Sequence, residues 1–111
     1  MIMENRRRFP RLDSAFEIKY YPVTNYTRYG YTISNNISKG GLSMPALSLI
    51  AKNGETLKMD INNSDGKGPI SAVGRVRWNR TRSREALLDE DVGIEFINIA
   101  PVDIDRLMQN R

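Results

Sequence analysis

Short runs of alternating apolar and polar residues recur along this chain, each cut off by turn-forming residues. Residues 16–23 (FEIKYYPV) put Phe16, Ile18 and Tyr20 on one face and Glu17, Lys19 and Tyr21 on the other. Residues 55–61 (ETLKMDI), 69–78 and 91–97 (DVGIEFI) repeat the period, with Leu57, Met59 and Ile61, then Ile70, Ala72, Gly74, Val76 and Trp78, then Val92, Ile94 and Phe96 in phase. A period of two is the signature of a half-buried strand, because successive side chains leave opposite faces. The punctuation supports it: Asn62-Asn63-Ser64-Asp65-Gly66 is hairpin chemistry and Gly40-Gly41 a strong break. Residues 31–37 (YTISNNI) read as one further strand, and residues 42–44 as a short one that Pro45 ends. Trp78, in phase with Val76, is expected in the core. Residues 79–89 read as a charged loop with helical leanings around residues 85–88.

The period changes only at the end. Val102, Ile104, Leu107 and Met108 fit an amphipathic helix over residues 101–109, with Pro101 in its first turn and Asp103 and Asp105 near its positive end. Many short strands at a spacing of roughly 10 residues plus one terminal helix point to a small antiparallel β-barrel, all-β in class, with the helix able to plug one end. A chain of 111 residues is one domain.

Composition narrows the chemistry. The chain has no cysteine and no histidine, which removes disulfides, thiolate metal sites and the commonest general base and metal ligand. We therefore read it as a non-enzyme that carries neither metal nor cofactor. No apolar run approaches the ~20 residues that would cross a bilayer, so no membrane insertion is expected. The first residues, Met1-Ile2-Met3-Glu4-Asn5, have no signal-peptide character, which gives a cytoplasmic expectation.

Net charge is +4, and its distribution says more than its size. Arg6, Arg7, Arg8 and Arg11 crowd the first 12 residues, which read as a flexible basic arm ahead of a barrel over residues 13–111. A guanidinium stays charged, forks onto phosphate or the O6/N7 edge of guanine, and stacks on bases. Further along, Asn36-Ile37-Ser38-Lys39-Gly40-Gly41 sets an amide and a hydroxyl two residues apart on one face, ahead of two glycines. Asn can donate to and accept from a base edge, and Ser adds a hydroxyl of either polarity. Gly41 would let a purine lie close to the backbone. By itself this pattern also describes a capped turn. Arg75 and Arg77 point away from the apolar face of their run and could extend the charge around a ligand or form a solvated face.

Arg7-Arg8-Phe9-Pro10-Arg11 fits an RxxxR motif and Asn36 to Gly41 fits (D/N)xSxxG. In that order, followed by Gly74-Arg75-Val76-Arg77-Trp78 and Val92-Gly93-Ile94-Glu95-Phe96, they make the chain resemble PilZ domains from about Arg6 to Leu107. The resemblance implies a six-stranded antiparallel, split Greek-key barrel with a short C-terminal helix, binding cyclic di-GMP on its outside. It implies a ligand set of Arg7, Arg8, Arg11, Asn36, Ser38 and Gly41, with Arg6, Gly40, Arg75 and Arg77 as further candidates. Arg6, just before RxxxR, resembles members that bind two stacked nucleotides. The implied role is a receptor that passes its bound state to a protein effector, with no specific DNA target and a homodimer left open. Two rivals stand beside it: a barrel binding single-stranded nucleic acid through basic and aromatic residues, and a PilZ-type adaptor working by protein contacts alone.

Overall fold

The computed structural model describes residues 12–13, 15–83 and 85–109. The expected arm therefore lies outside the described residues except for Leu12. The elements are β1 (Leu12–Asp13), β2 (Glu17–Pro22), β3 (Gly30–Ile33), β4 (Asn36–Ser38), β5 (Gly41–Ala46), β6 (Thr56–Asn62), β7 (Ile70–Thr81), β8 (Glu90–Ile99) and α1 (Pro101–Gln109). All strands join one antiparallel sheet in the order β1-β4-β5-β8-β7-β6-β2-β3. The expected six strands are those of four residues or more; β1 and β4 are the two short additions. β6-β7-β8 is a meander and β5 returns beside β8, a Greek key.

The alternating runs become the inner face of a curled half-barrel. Ile18, Tyr20, Leu57, Met59, Ile61, Ile70, Val76, Val92 and Ile94 all point inward and are buried together. Leu107 of α1 completes that core. The helix is fastened at its C-terminal half: Arg106 bonds both carboxylate oxygens of Asp65 (2.8 and 2.9 Å) and the Gly68 carbonyl. It also pairs with Asp103 one turn back. These contacts hold the Asp65 carboxyl well below the usual aspartate range and raise the guanidinium.

Three local expectations are corrected, each for a physical reason. Residues 31–37 are two strands, not one. β3 and β4 lie at or near opposite ends of the sheet order, so the chain crosses between them through Ser34 and Asn35 alone. Ser34 donates its N–H to the Phe16 carbonyl and accepts the Phe16 N–H on its hydroxyl, while the Asn35 N–H reaches the Ser43 carbonyl. Thr32 is buried inward, and Tyr31 and Ile33 face out.

Pro45 does not end its strand. The Phe96 N–H bonds the Gly40 carbonyl, so along the β5–β8 ladder Leu42, Met44 and Ala46 bond to β8 while Pro45 turns its main chain away. At that height β4 has ended, so among the described residues the missing N–H costs no ladder bond.

Finally, β7 continues to Thr81, and residues 85–88 are turns and bends rather than helix. A register shift between Val76 and Trp78 inserts Arg77 as a bulge. One extra residue inverts the phase beyond it. Trp78 consequently leaves the core face and sits half-buried on the outside of the sheet.

Candidate ligand-binding face

On β4, Ile37 is fully buried, so Asn36 and Ser38 both face outward. The registers extend them into two rows across the sheet. Asn36 lies opposite Ser43, Ser43 opposite Gly93, and Gly93 opposite Trp78. One step along, Ser38 lies opposite Gly41, Gly41 opposite Glu95, and Glu95 opposite Arg75. The first row is low in the middle and walled by an aromatic ring at one end. A Cβ added at Gly93 would overlap Nε1 and Cε2 of Trp78, so the indole lies across that glycine.

The polar groups are unequally committed. Asn36 Oδ1 is buried and accepts no hydrogen bond among the described residues. Such an orphan acceptor costs about 1–3 kcal/mol until something donates to it. Ser38 is already engaged: its hydroxyl accepts the Gly40 N–H at 3.2 Å and donates to the Gly41 carbonyl at 3.4 Å. It closes the two-residue turn between β4 and β5. The structural reason for Gly41 differs from the expected one, since its missing Cβ makes room for the Ile94 carbonyl of β8. Gly40 bonds through both main-chain groups, to Ser38 and Phe96.

Charges flank the rows. Arg77 holds Glu95 through Nε at 2.7 Å and through a second nitrogen. The Arg80 guanidinium carbon lies 5.8 Å from the Trp78 ring centroid, and its Nη2 is 3.9 Å from Asp91 Oδ2, while Arg82 Nε approaches Asp91 Oδ1 at 3.6 Å. Exposed pairs of this kind contribute little, about 0–1 kcal/mol each, so these arginines are available to a stronger anion. Arg75 is exposed and makes no ion pair among the described residues. Among the described residues no group of side chains could hold a metal ion, and no helix is long and apolar enough to cross a membrane.

β1 connects this face to the N-terminal segment. Leu12 pairs with Ile37 and Asp13 with Asn36, so the chain enters the sheet alongside the Asn36–Ser38 edge. Of the residues expected from the sequence, Asn36, Ser38, Gly40, Gly41, Arg75 and Arg77 are thus gathered on or beside one face. Arg6, Arg7, Arg8 and Arg11 lie outside the described residues. Ser43, Gly93 and Trp78 were missed. The one signal available was Gly93 inside an alternating run, a mark of close approach by another group.

The PilZ domain family model matches residues 5–110. The chain belongs to the PilZ domain family. Solved PilZ structures share its fold. The Bacillus subtilis inhibitor of motility MotI/DgrA aligns with a TM-score of 0.74 at 23% identity, over 95% of this chain and 49% of that one. The chain thus spans about half the length of MotI. The PilZ domain of Escherichia coli YcgR, solved with c-di-GMP, aligns at 0.68 and 15% identity over 96% and 88% of the two chains. The PilZ domain of CeSA from a cellulose-synthesizing bacterium aligns at 0.63 and 8% identity over 90% and 92%. No curated protein sequence matches the chain.

Proposed function

We propose that this PilZ domain is a receptor for cyclic di-GMP, the ligand named for the YcgR structure, and relays its bound state to a protein effector. The observation that carries the reading is the pairing of β1 with β4. It starts the arginine-bearing segment beside Asn36, whose buried Oδ1 lacks a donor, in a row that ends at Trp78. Covalent geometry sets the reach: Arg11 is bonded to Leu12, and Arg7 lies five residues back, at most about 18 Å away. A guanine offers N–H donors to Asn36 Oδ1, and its face can stack on the indole. Arg7 and Arg11, with Arg8 and Arg6 behind them, supply forks for the two phosphates and the O6/N7 edge. Arg75 adds charge from the second row, and Arg77 does so on releasing Glu95. Ser38 and Gly41 keep the β4–β5 turn in shape, and Gly40 locks it to β8.

The division into a basic arm, expected over residues 1–12, and a barrel belongs to this reading, with Leu12 paired into the sheet as part of β1, as do ordering of the arm by ligand and a cytoplasmic location. The absence of histidine and cysteine favours binding without catalysis. Calorimetry with cyclic di-GMP tests it. The expected result is saturable binding that Arg7→Ala or Arg11→Ala weakens about ten- to a hundredfold, since a bidentate guanine contact contributes about 1–3 kcal/mol. Amide exchange over residues 5–11 should slow only with ligand. No heat with the dinucleotide, together with steeply salt-dependent binding of a short oligonucleotide, would establish the nucleic-acid rival instead.

A further inference from the structure

All five tyrosines of the chain fall between residues 20 and 31, and the face described above uses none of them. Only Tyr20 belongs to the core. Tyr21 alternates with it and faces out from β2, while Tyr31 faces out from β3 opposite Lys19. The connection between these strands, residues 23–29, is exposed at every position. Val23, Tyr26, Tyr29 and Tyr31 are 50%, 75%, 50% and 65% exposed. Tyr29 and Tyr31 stand edge to face with centroids 5.8 Å apart, and Lys19 Nζ lies 4.8 Å from the Tyr29 centroid. Arg28 is exposed beside them, and no aspartate or glutamate occurs from residue 18 to residue 54. Neither Lys19 nor Arg28 forms an ion pair among the described residues. On the neighbouring strand Asp60, opposite Lys19, is paired with Lys58, and Lys52 and Glu55 in the turn before β6 carry opposite charges. The hairpin thus presents a ring-rich, cationic surface at the far end of the sheet order from β4.

We propose that the β2–β3 hairpin docks on an anionic lipid surface, lying at the headgroup level of a bilayer without crossing it. Three features select that partner. A tyrosine joins an apolar body to a wet hydroxyl, which suits the boundary between acyl chains and water. Lys19 and Arg28 are drawn to anionic headgroups, with no carboxylate on the hairpin between them to oppose it. The tip also closes its backbone on itself. The Asn25 N–H bonds the Pro22 carbonyl at 3.0 Å, the Arg28 N–H bonds the Asn25 carbonyl at 3.2 Å, and the Thr27 N–H and hydroxyl both donate to Asn25 Oδ1. Such a turn enters a region poor in water without stranding those groups. A single-stranded nucleic acid needs open ring faces on which successive bases stack. Here the Tyr29 and Tyr31 rings are nearly perpendicular, at 86°, and Lys19 covers one face of Tyr29. A second copy set against the same face would bring like charges together. This inference does not depend on cyclic di-GMP binding.

The probes are bicelles of phosphatidylcholine, alone or mixed with phosphatidylglycerol, titrated into the 15N-labelled chain. The mixed bicelles should bind saturably and shift residues 23–31, with binding to phosphatidylcholine alone at least about tenfold weaker. Arg28→Gln should weaken the mixed bicelles about fivefold, the value of one cation at such a surface. Tyr26→Ser should weaken them about tenfold, which is what about 55 Å² of ring leaving water contributes. Both side chains are exposed, so urea unfolding should show parent stability in each variant. Arg7→Ala combined with Arg11→Ala removes charge from the N-terminal segment and should leave the shifts at residues 23–31 in place. No binding, equal binding by Tyr26→Ser, or shifts confined to residues outside 23–31 overturns the proposal. So do concentration-dependent shifts there without lipid, which would assign the hairpin to a second copy. The same shifts with a short oligonucleotide but not with bicelles would assign it to nucleic acid, and overturn the proposal equally.

Discussion

Gly93→Ala and Trp78→Ala together test whether the indole lies where the bulge puts it. Gly93 does not sit at a positive φ, so alanine is acceptable to the backbone and the whole effect comes from what its Cβ meets. It meets the Trp78 ring at Nε1 and Cε2, and the ring must move. Overpacking of this kind costs about 1–3 kcal/mol, against which alanine in a strand regains about 0.5–1 kcal/mol over glycine. The single variant should therefore lose about 1–2 kcal/mol, or about 4–8 °C in Tm for a domain of this size. In a Trp78→Ala background the obstacle is gone, and the same change should stabilise by about 0.5–1 kcal/mol. The coupling is then about 2 kcal/mol, well above the ~0.5 kcal/mol scatter of independent sites. Urea unfolding followed by far-UV circular dichroism measures all four proteins, including those without the fluorophore. Trp78 is the chain's single tryptophan, so its emission should also shift to the red in Gly93→Ala alone. Equal costs in both backgrounds would refute the ring-over-glycine geometry and, with it, the outward phase of β7 beyond the bulge.

Trp78→Ala should weaken cyclic di-GMP binding about ten- to a hundredfold in calorimetry, the value of one base stacked on an aromatic ring. Asn36→Leu should raise stability in urea, because it deletes an orphan buried acceptor, while lowering dinucleotide affinity. Tyr20→Phe leaves the Leu47 N–H, now bonded to the phenol oxygen at 3.0 Å, without an acceptor and should cost about 1–3 kcal/mol in urea unfolding. Asp65 has a folded-state pKa below its ordinary 3.8, so its contribution is complete above that value and is lost as the pH falls below it. Asp65→Asn should accordingly lower Tm at neutral pH, and the gap to the parent chain should close on strong acidification.

What was legible in the sequence followed from periodicity within single elements. The runs carrying Ile18, Met59, Ile70 and Ile94 are strands with the expected face inward, and the helix begins at Pro101 as its first-turn chemistry demands. What was not legible depended on neighbours in space. No feature of residues 31–37 tells that Ser34 and Asn35 must carry the chain from one end of the sheet to the other. Pro45 reads as a terminator unless one knows that its nitrogen owes no ladder bond. The bulge at Arg77 is an event of register between two strands, so the period of β7 alone put Trp78 on the wrong face. The candidate site divides the same way: Asn36 and Ser38 share a strand, so their common face was legible, whereas Ser43, Gly93 and Trp78 join that face only through pairing.

The two-residue link Ser34–Asn35 has a mechanical consequence. Three peptide units join Ile33 to Asn36, so these Cα atoms can never stand more than about 11 Å apart. A covalent tether thus enforces the curl that interstrand bonding enforces in a closed barrel. The molecule can leave its last edges unzipped without flattening, and cutting that tether by circular permutation would turn a cup into a loose ribbon.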